Sequence, residues 1–524
     1  MSFLTLQYLA FLGILCLAYY TLGAINKKIQ WIILLIASYI FYGFSSAKYL
    51  GFLVFSTLVT WGVSVAVSET FSREKAEIAA DASITKEQKK AIKSAYDKKR
   101  KYWIFWAVVL NIGLLFIIKY ANRGIESLNS LFGLDMGQLK WIVMPLGFSF
   151  YTFQSLGYCI DVYRGTVEAE RNPLKYALFV SFFPQICEGP IGSYQELSPQ
   201  FFEEHRFDYD SFVKGLIRIL TGIFKKVVVA DTIALFVDPV YASYGDYSGA
   251  MLLLATFLYA LQLYADFSGY IDIALGSSAC LGIRLTENFD TPYFSRSIAE
   301  YWRRWHISLG VWFRNYLYYP VLRSNAVSSY GKKLAKEGKR KLASCITATV
   351  GLAVTWTLIG MWHGASYNFL AHGWYHGFFI ILSVWLGDTY KKTKEVLHIK
   401  ENSAWKLFQI VRTFTIVLIG YVLFRATGLR AAFGIYQRIL TAFYYEGALS
   451  GLYLLSRAEW IIALFGIAVV FLFDLIERKA ALADWIYSRN IALRWLILYV
   501  LLLITLLFFL NRPADAGNFI YFNF

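Results

Sequence analysis

Histidine is the residue type of this 524-residue chain best suited to proton transfer, and one of the six histidines ends a long apolar run. His363 follows LAVTWTLIGMW, residues 352–362, which carries no charged side chain. An imidazole buried in apolar surroundings stays neutral near neutral pH, as a general base must be before it accepts a proton. The run predicts either a catalytic base at His363 or a core histidine hydrogen-bonded to a backbone carbonyl.

A second group of reactive side chains lies in EYWRRWHISLGVWF, residues 300–313. Two arginines and a histidine stand there among three tryptophans. Facing lipid hydrocarbon, Arg303, Arg304 and His306 would cost several kcal/mol. We therefore expect this segment to be a re-entrant or interfacial piece beside an internal cavity.

Polar side chains also enter the apolar run that contains YADFSGYIDIALG. Ser268 and Asp272 are four residues apart, so they share one face of a helix, and Asp266 lies half a turn earlier. Because a carboxylate inside a membrane needs a cationic partner, we expect Arg303 or Arg304 to supply it.

Other reaction chemistries are not indicated. His372 and His376 share one helical face, but no acidic third ligand lies near them in the sequence, so we predict no metal site. No phosphate-binding glycine loop or serine-hydrolase elbow is present. The cysteines lie in or beside apolar runs without metal spacing, so we predict buried free thiols; they are Cys16, Cys159, Cys187, Cys280 and Cys345.

The elements that must position these residues are membrane helices. Hydrophobic residues make up 57% of the chain and charged residues 16%, against roughly a quarter charged in soluble domains. We predict an all-α polytopic membrane protein with about a dozen transmembrane helices and re-entrant segments. The apolar runs are 4–22, 31–44, 48–67, 102–120, 141–160, 212–237, 250–282, 344–362, 366–387, 406–425, 459–476 and 491–511.

The distribution of charge predicts the orientation in the membrane. The formal net charge is +16, and basic residues concentrate at 73–101 and 332–341. Because short basic loops stay in the cytoplasm, the N-terminus is predicted to be extracytoplasmic. The charged segments 73–101, 323–342 and 388–404 are predicted as loops. Their basic runs contain few aromatic residues, so we expect no nucleic-acid partner.

One apolar stretch, FVSFFPQICEGPIGSY at residues 179–194, is unsuited to a continuous helix. It contains Pro184, Glu188, Gly189 and Pro190. Prolines remove backbone donors that lipid cannot replace, so the stretch is predicted to be broken and buried in protein or beside a wet cavity.

Four stretches, in this order and spacing, resemble the membrane-bound O-acyltransferase (MBOAT) family: QICEGPIGSYQELSPQF, DFSGYIDIALG, LTENFDTPYFSRSIAEYWRRWHISLGVWFRNYLYYP and MWHGASYNFLAHGWYHG. Within the family they are similar to the bacterial branch that includes the alginate O-acetylation membrane protein and the D-alanyl transfer protein of teichoic acids. The resemblance covers nearly the whole chain and implies a helix bundle around a central tunnel. Glu188 and His372 depart from the family's usual residues, and His372 is not taken as catalytic.

The resemblance also implies roles for individual residues. The family's catalytic histidine matches His363, and His306 would lie at the cytoplasmic mouth of the tunnel, where a cytosolic acyl donor enters. Acetyl-CoA is the donor this branch would use, with no permanently bound cofactor. The residues expected to bind donor or substrate are Trp302, Arg303, Arg304, Trp305, Trp362 and Asn368; those expected to form a structural polar network are Asp266, Ser268, Asp272 and Glu188.

The predicted function is transfer of an acetyl group across the bacterial cytoplasmic membrane for O-acetylation of an extracytoplasmic polysaccharide or cell-wall polymer. The resemblance implies a partner protein with an extracytoplasmic SGNH-type domain, which completes transfer to sugar hydroxyls. Three alternatives stay open: D-alanyl-type transfer from a carrier-protein thioester, a polymer or lipid transporter, and a scaffold for envelope proteins. A transporter would often show paired broken helices in two related halves, and this sequence shows no such symmetry.

The C-terminal part is predicted to be an addition to the catalytic bundle. Residues 1–440 form the predicted bundle, and residues 441–524 add helices and an aromatic tail, NFIYFNF. Such a tail is a common interfacial anchor. The alternative comes from the resemblance, because the teichoic-acid branch works with a small protein that ends in a similar motif. On that hypothesis Tyr521 receives the acetyl group with His363 as base and passes it to the partner.

Overall fold

The computed structural model describes residues 2–45, 47–81, 83–139, 144–444, 447–511 and 520. Within these residues the regular elements are helices, and β-structure is limited to an isolated bridge between Phe289 and Trp305. Helices satisfy their own backbone hydrogen bonds, which lipid cannot do for them. The predicted all-α fold is confirmed.

Nine helices in the described residues are long and apolar enough to cross a bilayer. Three of the apolar runs of the sequence give other structures. The run 31–44 forms a helix of 16 residues, and 141–160 leads into one of 17 residues. The run 212–237 is interrupted by a π-helix, Lys225–Ala230. The chain is a polytopic membrane protein, with fewer complete spans in its described part than the sequence predicts.

The chain divides into two compact units: Met1–Leu216 with Ala274–Thr286, and Ile217–Ile273 with Glu287–Phe524. The predicted boundary at residue 440 stays a prediction. The helices of the first unit are α1 (Leu6–Ile25), α2 (Gln30–Ser45), α3 (Leu50–Ala80), α4 (Lys86–Phe132), α5 (Phe148–Arg164), α6 (Pro173–Ser181), α7 (Phe183–Ile186) and α8 (Tyr194–Phe202).

The second unit carries the residues predicted to act on the donor. Two helices contribute residues to both units, α9 (Tyr209–Phe224) and α11 (Gly249–Cys280). The others are α10 (Asp231–Ala242), α12 (Ile298–Arg304), α13 (Ile307–Phe313), α14 (Tyr319–Arg323), α15 (Asn325–Lys336), α16 (Arg340–His363), α17 (Tyr367–Val396), α18 (Ser403–Arg425), α19 (Leu429–Thr441), α20 (Arg457–Glu477), α21 (Leu482–Tyr487) and α22 (Ile491–Leu510).

The charged segments predicted as loops are largely helical, so that prediction is wrong. Most of 73–101 extends α3 and α4 beyond their apolar parts. Thr85 and Gln88 form a reciprocal capping box that starts α4. Arg100 Nη1 donates to Glu74 Oε2 at 2.6 Å, which joins the two helices. The predicted loops 323–342 and 388–404 likewise contain α15 and the end of α17.

The stretch 179–194 is broken, as predicted. α6 ends at Ser181, and α7 has only four residues. Two buried amide side chains satisfy the interrupted backbone: Gln154 Nε2 donates to Phe179 O at 2.6 Å, and Gln185 Nε2 to Pro190 O at 2.8 Å. Glu188 is 2% exposed. It belongs to the first unit, whereas the other residues predicted for the polar network belong to the second.

α16 and α17 pack closely because glycines face the partner backbone. A Cβ on Gly373 would lie 2.4 Å from Trp356 O, and one on Gly360 would lie 2.8 Å from Phe369 O. At the start of α16, Lys341 Nζ lies 2.8 Å from Asp388 Oδ2 near the end of α17. The basic ends of both helices therefore meet, and the apolar end of α16 carries His363.

Candidate active site

His306 lies at a break between two short helices. α12 ends at Arg304, and α13 begins at Ile307. His306 has a φ of 48°, in the left-handed region that few non-glycine residues adopt. Its side chain is buried, at 2% exposure. Such backbone strain persists only where surrounding contacts enforce it.

The segment that contains Asn288 supplies those contacts. Asn288 O accepts from the Ile307 N–H at 3.0 Å, and Asn288 Oδ1 accepts from the Ser308 N–H at 2.9 Å. The Asp290 N–H donates to Arg304 O at 3.0 Å. The single segment 288–290 thus holds the break on both sides of His306. Asn288 has no signal in the sequence, because only its place opposite the break distinguishes it.

A cavity of about 470 Å³ opens beside His306. Trp302, Arg303 and Trp305 line it together with His306. Contact of these residues with a donor stays a prediction. Exposed Arg314 adds a second guanidinium, and apolar side chains of α13, α16 and α17 cover most of the wall. A mostly apolar pocket with a few cations suits a long ligand that carries anionic groups.

His363 is the last residue of α16 and is 4% exposed. Its ring centroid lies 4.8 Å from that of Trp362 and 5.1 Å from that of Phe424. The Trp362 ring lies 6.0 Å from the His306 ring. One indole therefore connects the two histidines that the sequence singled out.

His372 and His376 extend this row of imidazoles along α17. Their ring centroids lie 4.6 Å apart, and His372 lies 6.4 Å from His363. The His372 Nδ1–H donates to Gly420 O at 2.9 Å, because a carbonyl can only accept. His376 is fully buried, and neither of its ring nitrogens has a hydrogen-bond partner in the described part of the chain.

Among the described residues, no group of three or more histidine, cysteine, aspartate or glutamate side chains is arranged to hold a metal ion. All five cysteines are buried, as predicted.

Asn368 does not line the cavity and has contacts elsewhere. It is 1% exposed, and its Nδ2 donates to Leu423 O at 3.0 Å and to Ala426 O at 2.9 Å. These bonds tie the start of α17 to the end of α18. A contact between Asn368 and the donor stays a prediction.

The buried carboxylates of α11 pair with lysines. Lys226 Nζ lies 2.5 Å from Asp266 Oδ1, and Lys225 Nζ lies 2.8 Å from Asp272 Oδ2. Each of these four residues is at most 6% exposed. Arg218 Nε adds a contact to Asp272 Oδ1 at 3.1 Å. The prediction that the WRRWH arginines would pair with these carboxylates is wrong.

Close contact between α9 and α11 brings the lysines to the carboxylates. A Cβ on Gly222 would lie 2.5 Å from Gly269 O, so the two backbones touch there. The lysines follow directly in the π-helix. The sequence signal was the pair of lysines in the apolar stretch FKKVVVA. Ser268 is buried in the same region, at 3% exposure.

Arg304 has nearer partners than the α11 carboxylates. Its Nη2 lies 3.1 Å from Glu300 Oε1 within α12, and its Nη1 lies 3.6 Å from Asp290 Oδ2. Arg304 therefore braces α12 against the segment that holds the break. Arg303 is exposed and lines the cavity.

Tyr521 lies outside the described residues. Its neighbour Ile520 is described, and the Ile520 N–H donates to Asp266 Oδ2 at 2.8 Å. The Asp266 carboxylate thus contacts Lys226 through one oxygen and the C-terminal segment through the other.

Similarity to known proteins identifies the family of this chain. Residues 168–423 match the MBOAT, membrane-bound O-acyltransferase family. The chain is 33% identical to a probable alginate O-acetylase, AlgI, of Pseudomonas aeruginosa, over 84% of this chain and 74% of that protein. It is 30% identical to the peptidoglycan O-acetyltransferase of Helicobacter pylori, over 80% and 75%. It is 29% identical to the teichoic acid D-alanyltransferase of Bacillus subtilis, over 54% and 69%.

The matched region contains the break at His306, the cavity and His363. The relatives of at least 30% identity also extend well beyond it. The chain therefore belongs to the membrane-bound O-acyltransferase family and is a polytopic membrane acyltransferase.

Proposed function

We propose that this enzyme takes an acetyl group from acetyl-CoA on the cytoplasmic side and delivers it for O-acetylation of an extracytoplasmic polysaccharide or cell-wall polymer. The observation that carries the proposal is the aromatic connection between two buried histidines. His306 lines the donor-sized cavity, and Trp362 lies within 6.0 Å of His306 and 4.8 Å of His363, measured between ring centroids.

In the proposed reaction the acetyl group moves from sulfur to oxygen. His363 accepts the proton of the acceptor hydroxyl while that oxygen attacks the acetyl carbonyl carbon. The carbon–sulfur bond breaks, and the proton passes from His363 to the CoA thiolate. The products are an acetyl ester and CoA. His306 and its tryptophan neighbours position the thioester within reach of His363.

The cavity supports CoA as the donor. Arg303 and Arg314 are exposed guanidiniums at an otherwise mostly apolar wall. Guanidiniums bind phosphate oxygens in a bidentate geometry, and the apolar wall suits the pantetheine arm. On this proposal the phosphates of CoA lie near the two arginines and the acetyl group lies toward His306.

The relatives support an acetyl group and a carbohydrate-containing acceptor. Those named for O-acetylation of alginate and peptidoglycan cover 84% and 80% of this chain. The relative named for D-alanyl transfer covers 54%. D-alanyl transfer from a carrier protein is therefore the less supported alternative.

Delivery of the acetyl group is proposed to use Tyr521 and a partner protein. The Ile520 N–H to Asp266 contact, which places the residue before Tyr521 beside α11, supports this route. The Tyr521 phenol would attack the thioester to give an aryl ester, a reactive acyl donor. A nucleophile of the SGNH-type partner would then take the acetyl group from Tyr521 and pass it to the polymer.

The proposed orientation places the N-terminus outside the bacterial cytoplasmic membrane. The contact between Lys341 and Asp388 supports the proposal that the basic segments 332–341 and 388–404 lie on the same side of the membrane. The positive-inside rule puts that side in the cytoplasm, where acetyl-CoA is available.

Reconstitution with radiolabelled acetyl-CoA tests the donor and the relay separately. We expect the wild-type protein to release CoA and to carry acetyl on the C-terminal peptide when the partner is absent. Tyr521→Phe keeps the aromatic ring and should remove the label from that peptide. An unmodified peptide from an enzyme that still transfers acetyl would overturn the relay. Failure of any acetyl transfer from acetyl-CoA, with transfer from a carrier-protein thioester instead, would overturn the proposed donor.

A further inference from the structure

The second unit contains a lateral cleft that the proposed acetyl transfer does not use. Its volume is about 560 Å³, and it lies between the start of α12, α17 and α18. Of its lining residues, Ala299 alone also lines the cavity beside His306. The residues that define the lateral cleft here are Arg296, Phe379, Leu386, Tyr390, Gln409 and Arg412.

Two arginines of the lateral cleft are available to an anion. Arg412 Nη2 donates to Arg296 O at 2.8 Å, which holds Arg412 beside the start of α12. Neither guanidinium forms an ion pair with a carboxylate in the described ranges of the chain. Glu300 also lines the lateral cleft, but its carboxylate is engaged: Oε1 lies 3.1 Å from Arg304 Nη2, and Oε2 accepts from the Arg296 N–H at 2.9 Å. Glu401 is paired with Lys394.

The lateral cleft opens toward the lipid-facing surface. Leu386 lines it and is 48% exposed, and Phe408 and Val411 on α18 are 51% and 55% exposed. Tyr390 directly precedes the basic end of α17, which meets Lys341 through Asp388. By the positive-inside rule this is the cytoplasmic leaflet, which is rich in anionic lipids.

Gln409 places a buried hydrogen-bond acceptor in the lateral cleft. Its Nε2 donates to the Tyr390 hydroxyl at 3.3 Å, and its Oε1 is buried without a hydrogen-bond partner in the described residues. The side chain as a whole is 9% exposed. A buried acceptor of this kind calls for a donor from an occupant, and a headgroup hydroxyl supplies one.

We propose that the lateral cleft binds one anionic phospholipid of the phosphatidylglycerol type. Its phosphate lies between Arg296 and Arg412, and a headgroup hydroxyl donates to Gln409 Oε1. An acyl chain lies along the apolar side chains of α17. Because Arg296 directly precedes α12, the lipid braces the helix that leads to His306. The site does not depend on the identity of the acyl donor.

Native mass spectrometry of the full chain, titrated with phosphatidylglycerol or with phosphatidylcholine of the same acyl chains, tests this site. We expect one phosphatidylglycerol to bind more tightly than phosphatidylcholine. Arg296→Gln combined with Arg412→Gln should weaken phosphatidylglycerol by about 30-fold, since each basic residue near an anionic lipid contributes about fivefold. Arg340→Gln, an exposed arginine at the same end of the helices, is the matched control and should change nothing. Equal binding of the two lipids, or unchanged binding by the double variant, would overturn the proposal.

A steric variant tests the same site without changing charge. Gly387 lines the lateral cleft, and a Cβ there meets no atom within 4 Å. Gly387→Leu should therefore fold normally, fill the lateral cleft and abolish the tight lipid, whereas His363→Ala should bind the lipid like wild type. Retention of the tight lipid by Gly387→Leu would contradict the proposal. One-for-one displacement of the lipid by acetyl-CoA would instead assign the lateral cleft to the donor.

Discussion

Two sets of buried polar side chains in the second unit differ in whether the protein itself provides partners for their charges and hydrogen-bonding atoms. The charges of Lys225, Lys226, Asp266 and Asp272 are all matched by ion pairs within 3 Å. By contrast, Trp302 Nε1 at the cavity beside His306 and both ring nitrogens of His376, whose ring lies 5.0 Å from that of Trp302, have no hydrogen-bond partners in the described part of the chain. Most buried polar groups in proteins are satisfied, so exceptions need an explanation.

The difference distinguishes polar side chains that stabilise the fold from polar side chains that are available to water or substrate. The ion pairs are complete within the protein, so removing one partner leaves an uncompensated buried charge and costs stability. Side chains at the cavity carry hydrogen-bonding capacity that water or substrate can use, so changing them should affect binding or transfer more than folding. The predictions that follow test this separation from the largest expected effect to the smallest.

Lys226→Met should show the largest loss of stability. It leaves Asp266 buried and removes its cationic partner, which costs about 3–5 kcal/mol. We expect a lower melting temperature and less monodisperse protein after detergent extraction. Lys98→Met, at an exposed lysine of α4, is the matched control. If both variants have the melting temperature of the wild type, the charged cluster does not stabilise the fold.

Gly310→Leu should show the opposite pattern, with weaker donor binding and little change in melting. Gly310 lines the cavity, and a Cβ there would meet only Trp302 O, at 3.5 Å. The added side chain fills space needed by the donor, and we expect acetyl-CoA affinity to fall about tenfold, in line with the 1–3 kcal/mol typical of overpacking. A Cβ on Gly113 of α4 would meet no atom within 4 Å, so Gly113→Leu serves as control. Calorimetric titration measures the affinity, and equal affinities for the two variants would exclude the cavity as the donor site.

Arg303→Gln should weaken acetyl-CoA binding by about threefold to fivefold, because an exposed ion pair contributes at most about 1 kcal/mol. The effect should shrink as salt is raised, since exposed charges are screened. The measurement is the KM for acetyl-CoA at low and high ionic strength. A salt-independent change, or a lowered kcat with KM unchanged, would mean that Arg303 does not meet donor phosphates.

Arg304→Gln should have the smallest effect, a loss of less than about 1 kcal/mol in stability. Its partners Glu300 and Asp290 are both partly exposed, and its own side chain is 29% exposed. The measurement is the melting temperature of Arg304→Gln, taken under the same conditions as that of Lys226→Met. A loss as large as that of Lys226→Met would show that Arg304 carries a buried charge pair after all.

Structural features that depend on residues close together in the sequence could be predicted from it. Lipid requires long apolar helices, so the membrane class follows from composition and from the uninterrupted runs. The break at 179–194 follows from its prolines, whereas the roles of His306 and His363 stay predictions from their motifs. Trp302, Arg303 and Trp305 line the cavity because they share the short α12 segment with His306.

Pairings between distant segments could not be predicted. Lys225 and Lys226 reach α11 only because Gly222 and Gly269 let two backbones touch, and this contact has no signal in either helix alone. Proximity in the sequence predicts that Arg304 pairs with the same carboxylates, but Arg304 forms an ion pair with Glu300, one turn earlier in α12. The helical form of 73–101 could not be predicted from its charge, because Lys, Arg and Glu favour helices outside the membrane and also occur in loops.

The central claim is that His363 performs acetyl transfer while the cavity beside His306 holds the donor. The most direct measurement compares acetyl-CoA binding and acetyl transfer in purified wild-type protein and His363→Ala. We predict that the variant melts and binds acetyl-CoA like wild type but transfers acetyl about 100- to 10,000-fold more slowly, the usual effect of removing a general base. Transfer within a few-fold of the wild-type rate by a folded, donor-binding His363→Ala protein would contradict the claim.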